Sequence, residues 1–135
     1  NLDIVESTVT TVNDLQQAVN SLKDKVDAIY LPTDNVVASA LPALMKATMP
    51  AKLPVVAAEG GMVRQGALAS IAIDYYTLGK MTGQMGADIL EGKAKPADMP
   101  IQTQHADNVI VNVKTAKALG LTIPEDILSK ATKVE

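Results

Sequence analysis

Val26-Asp27-Ala28-Ile29-Tyr30-Leu31-Pro32-Thr33-Asp34-Asn35 is the stretch that decides the fold. A short, mostly apolar and β-favouring run meets Pro32, which cannot continue a hydrogen-bonded ladder, and gives way to three polar residues. That is the pattern of a buried strand that ends in a loop and feeds a helix. The unit recurs further along the chain. Pro54-Val55-Val56-Ala57-Ala58 stops at Glu59-Gly60-Gly61, and Ala67 to Ile73 stops at Asp74.

Helical patterns fill the intervals. Leu15, Ala18, Val19 and Leu22 share one stripe behind Asn13, an N-cap candidate with Gln16 three residues on. A helix is expected from about Val36 to Thr48, bent at Pro42, and another from about Tyr75 to Leu90, closed by Gly92. Leu2 to Glu6 alternates and predicts a first strand. Ile101 to Gln104 and Val109 to Val113 predict two more. A short helix should run from Lys114 to Gly120, and Pro124-Glu125-Asp126 should open a last one. Strands alternating with helices predict an α/β domain with a largely parallel sheet flanked by helices.

Composition narrows the function. The 135 residues fit one domain, and 47% are hydrophobic, yet Phe and Trp are absent and Tyr30, Tyr75 and Tyr76 are the only aromatics. The interior must therefore be aliphatic. A formal net charge of -3 without a basic cluster argues against nucleic acid as a partner. No stretch approaches the roughly 20 apolar residues of a membrane span. With no cysteine, disulfides and thiolate chemistry are excluded.

Catalysis finds little support. His105 is the only histidine, beside Asp107 and Asn108, and one histidine without cysteine makes no recognisable zinc set. No Gly-x-Ser-x-Gly elbow presents a nucleophile, and Gly60-Gly61 lacks the spacing of a phosphate loop or dinucleotide fingerprint. No enzyme activity, metal or cofactor is expected.

Polar residues instead collect after the strands. Thr33, Asp34 and Asn35 follow one, Glu59 the next, and Asp74 with Tyr75 the third. In open α/β sheets, ligands bind beyond the carboxyl ends of strands. The competing reading is that Asp34 and Asp74 only cap the helices after them. Both stay open at this level. Glu59 has no evident helix beside it. Gly79, Gly83 and Gly86 are a second anomaly, because each costs a helix about 1 kcal/mol relative to Ala. Close approach of another backbone is the expected reason.

The runs Val26–Asn35, Leu53–Gly60 and above all Gly66–Gly79 resemble a family of ABC transporter substrate-binding proteins. Its characterised members are associated with tryptophan, tyrosine and phenylalanine. Asn112 to Pro124 is similar to the family's C-terminal end, so the resemblance spans essentially the whole chain. It implies a two-lobed periplasmic-binding-protein fold with ligand held between lobes. Residues 1–135 would be an incomplete C-terminal lobe, lacking the N-terminal lobe and its own first strand and helix. Helix 75–92 would pack on the N-terminal lobe, and the chain alone would tend to self-associate there.

By the same resemblance Thr33, Asp34, Asn35, Glu59, Asp74 and Tyr75 line the cleft. Asp74 or Asp34 would meet an amino acid's ammonium, Asn35 and Thr33 either end, and Tyr75 or groups of the N-terminal lobe an aromatic ring. The implied partners are a small-molecule ligand and a membrane permease, and the implied location is extracytoplasmic, in a periplasm or on a lipid anchor. A sugar- or nucleoside-binding relative, or the sensing domain of a transcription regulator, would suit the same polar strand ends.

Overall fold

A computed structural model describes residues 1–104 and 107–135. Five short strands, β1 (Ile29–Leu31), β2 (Val55–Ala57), β3 (Ala69–Ala72), β4 (Asn108–Asn112) and β5 (Thr132–Val134), form one sheet in that spatial order. β1, β2 and β3 run parallel, β4 runs antiparallel to β3, and β5 runs parallel to β4. The helices are α1 (Asp14–Leu22), α2 (Asn35–Ser39), α3 (Leu41–Thr48), α4 (Gly60–Arg64), α5 (Tyr75–Leu90), α6 (Val113–Leu119) and α7 (Glu125–Leu128). The result is the mixed α/β architecture, with a largely parallel sheet flanked by helices, that the alternating pattern predicts.

The core is aliphatic throughout. Leu15 and Val19 of α1, Leu41, Leu44 and Met45 of α3, and Met62 and Val63 of α4 close over Leu31, Val55, Ala57, Ala72 and Ile110 of the sheet. All three tyrosines stay outside it, at 54–76% exposure. Side chains alternate across a pleated strand, so Tyr30 and Ile71 point to the other face of the sheet, where both are exposed. Ser70 lies buried on the core face, and its hydroxyl finds no partner among the described residues.

Several local expectations are corrected. Leu2 to Glu6 forms no strand, and Leu2 and Ile4 are exposed. Alternation permits a strand, but only a neighbouring ladder and a face to cover stabilise one. Ile101 to Gln104 forms none either. The single helix from Val36 to Thr48 is two helices. α2 stops at Ser39, and Ala40, at φ -95° and ψ 0°, donates its N–H to Val36 and Val37. Pro42 therefore falls in the first turn of α3, where its missing N–H has no partner to lose.

Asn13 is itself helical and caps nothing. Asp14, the first residue of the helix, instead ties it to the preceding turn, accepting bonds from the Thr10 and Thr11 N–H groups and the Thr10 hydroxyl. These bonds, Thr11's first, hold its carboxyl below the ordinary range. β5 is an unpredicted strand, three residues long and too short to show a period. His105 lies outside the described residues.

Candidate functional site

Parallel pairing places the residues after β1, β2 and β3 at one edge of the sheet, where three loops begin. The first carries Thr33, Asp34 and Asn35, all exposed. Asp34 is extended, and its Oδ1 accepts the Val37 N–H at 2.9 Å, so it caps α2. Asn35 is the first residue of α2.

The second loop is Glu59, half-buried and extended, followed directly by α4. A helix does begin beside Glu59, contrary to expectation. Two glycines are poor helix formers, and α4 holds because Met62 and Val63 are buried beneath it. Gly60 lets α4 sit against the sheet. A Cβ there would run into Ile110 Cδ1. Glu59 makes no cap bond, so its carboxylate is not spent on the helix it precedes.

The third loop is Asp74, which opens α5. Its Oδ1 accepts the N–H groups of Tyr76 at 3.0 Å and Thr77 at 3.4 Å, and its Oδ2 accepts the Thr77 hydroxyl at 2.7 Å. The Thr77 hydroxyl first, then the Thr77 and Tyr76 backbone groups, hold the Asp74 carboxyl below its ordinary value. The backbone of Asp74 is held as well. Its N–H donates to Gln104 Oε1 at 2.9 Å, and its carbonyl accepts from Gln104 Nε2 at 3.0 Å. Gln104 thus pairs with this turn through its side chain, in place of the strand its sequence suggested.

Between the second and third loops lies an open hollow of about 380 Å³. It is lined by Glu59, Gly60, Gly61 and Arg64 from the second loop and α4, by Ala72, Ile73 and Asp74 from the end of β3 and the third loop, and by Tyr75 and Tyr76 from the start of α5. Asn108 and Ile110 of β4 complete it. Of the six residues expected at a cleft, Glu59, Asp74 and Tyr75 share this hollow. Thr33, Asp34 and Asn35 stand at the same sheet edge but outside its lining.

Arg64, Tyr76 and Asn108 were not anticipated. Arg64 escaped because no helix was expected after Glu59, and the face shared by residues 60, 61 and 64 exists only once α4 forms. Asn108 begins an antiparallel strand, so the start of β4 reaches the edge where β2 and β3 end. Tyr76 was legible, lying one residue beyond Tyr75 in the same turn. Its ring also lies 5.9 Å from the Lys80 ammonium.

The chain matches the family model described as ABC transporter substrate binding protein over residues 1–135. It is 39% identical over 121 residues to a tyrosine-binding protein of Clostridioides difficile, covering 90% of this chain and 35% of that protein. An ABC domain in complex with L-Trp from Streptococcus pneumoniae superposes with a TM-score of 0.82 at 38% identity, over 94% of this chain and 43% of that one. A ligand-free, open substrate-binding protein with adhesive properties from Clostridium difficile gives 0.70 at 42% identity, over 97% and 44%. The chain therefore spans less than half the length of these relatives. Among the described residues, no helix is long and apolar enough to cross a membrane. On these matches, the chain belongs to the ABC transporter substrate-binding protein family.

Proposed function

We propose that this chain supplies one wall of a cleft that holds an aromatic amino acid for uptake by an ABC transporter. The observation that carries the reading is the hollow at the strand ends, which two acidic residues, Glu59 and Asp74, and two tyrosines, Tyr75 and Tyr76, line together. An amino acid bound there needs anionic oxygens around its ammonium and a flat apolar surface for its ring. Glu59 and Asp74 supply the first, and Tyr75 and Tyr76 the second. Thr33, Asp34 and Asn35 extend the polar rim toward β1. The kinship with a tyrosine-binding protein and an L-Trp complex supports this choice of ligand.

In this reading the ligand undergoes no covalent change. It is captured outside the cytoplasm between this lobe and a second one, and closure of the two is what a membrane permease reads. A thermal-shift screen of the full-length protein against the twenty amino acids, common sugars and nucleosides tests it, because a ligand bound only by the folded state raises stability. A rise confined to tyrosine, tryptophan or phenylalanine is the expected result. A rise with a sugar or nucleoside alone would overturn it.

A further inference from the structure

We propose that Arg64 takes the carboxylate of the bound amino acid and makes the hollow select an amino acid over the corresponding amine. This rests on the amino-acid reading above. Arg64 is the one cation among the described residues of the lining, set against the two acids Glu59 and Asp74. Its position is fixed by packing. Met62 and Val63, 1% and 0% exposed, pin the buried side of α4, which leaves Gly60, Gly61 and Arg64 toward the hollow. Gly61 adds space, since a Cβ there would have nothing within 4 Å. Arg64 is exposed and forms no ion pair among the described residues.

The α5 N-terminus, another source of positive potential at this edge, is already used. The N–H groups of Tyr76 and Thr77 at the start of α5 are bound by Asp74 Oδ1, so they do not face a ligand carboxylate. α4 is only five residues long. A ligand carboxylate that loses water as the cleft closes needs a partner, because an unpaired buried charge is strongly unfavourable. A guanidinium offers it two parallel N–H donors, a match that an ammonium does not reproduce. With Glu59 and Asp74 on the ligand ammonium and Arg64 on its carboxylate, both charges of the zwitterion are met.

Calorimetry on the full-length protein tests this with L-tryptophan and with tryptamine, the same molecule without its carboxylate, measured directly or by competition. Arg64→Gln is expected to weaken L-tryptophan roughly 30-fold or more and to leave tryptamine within about 3-fold of the unsubstituted protein. Arg64→Lys, which keeps the charge without the paired donors, should fall between, and it carries the comparison if Arg64→Gln does not fold. Unchanged L-tryptophan affinity, or equal loss for both molecules, would overturn the Arg64 assignment while the amino-acid reading stands. An unsubstituted protein that binds no aromatic amino acid would overturn the reading, and this assignment with it.

Discussion

Asp74 holds three hydrogen bonds inside its own helix and still faces the hollow, so capping and binding do not exclude each other at this residue. A carboxylate oxygen has two lone-pair sites, and Oδ2 has accepted only the Thr77 hydroxyl. The same bonds make Asp74 an acidic carboxyl. Its folded pKa is lowered, so the stability it contributes is fully present above the ordinary carboxylate value, about pH 4. That contribution is lost as pH falls through the lower folded value. An NMR titration should show the Tyr76 and Thr77 amides shifting together as pH falls through that lower value, with little change above about pH 4. Asp74→Asn keeps a good cap and should leave the fold intact while weakening an amino-acid ligand roughly 30-fold or more. Asp74→Ala should also lower the melting temperature. Unchanged affinity in Asp74→Asn would move the ammonium to Glu59. Asn112 is the structural counterpart. It is 6% exposed, its Oδ1 caps α6 at the Thr115 N–H, and its Nδ2 donates to the Val63 carbonyl, tying α6 to α4. Asn112→Ala removes a cap and a buried bond together and should cost about 2 kcal/mol in chemical denaturation.

Elements of this fold were legible where one pattern acted alone. The helix from Tyr75 to Leu90 carried its start signal in Asp74 and its stop in Gly92, which adopts φ +71° just beyond the last turn. The strands before Pro32, Glu59 and Asp74 were legible as apolar runs with polar ends. What escaped depends on partners distant in sequence. Leu2 to Glu6 has a strand's alternation and no ladder, whereas α4 has two helix-weakening glycines and is held by burial of Met62 and Val63. Half of the hollow was hidden for that reason. Its acids and one tyrosine follow from strand ends, but Arg64 and Asn108 need α4 and the reversed β4. Pro42 shows the same logic inside an element. A proline in mid-helix costs about 3 kcal/mol, and replacing it would return that amount. Because Pro42 sits in the first turn of α3, Pro42→Ala should change stability by less than about 1 kcal/mol. A gain near 3 kcal/mol would mean that α2 and α3 are one helix in solution.

At the scale of the whole molecule, α5 is the element this chain does not use. None of its 16 residues is buried, Leu90 is 89% exposed, and a Cβ at Gly79, Gly83 or Gly86 would have nothing within 4 Å. Three glycines that weaken a helix and touch nothing are unexplained within these residues. The relatives are more than twice as long as this chain, and we propose that the lobe beyond it covers α5, with the glycines admitting a close backbone. Gly83→Ala separates a covered α5 from an exposed one. In the 135-residue chain it should raise stability, by up to about 1 kcal/mol, because Ala is the better helix former and nothing stands in its way. In the full-length protein the same methyl should lower the melting temperature by intruding on the packed lobe. Stabilisation in both would leave α5 facing solvent and sink the proposal. The short chain, with α5 uncovered, should also self-associate as its concentration rises in sedimentation experiments, whereas the full-length protein should not.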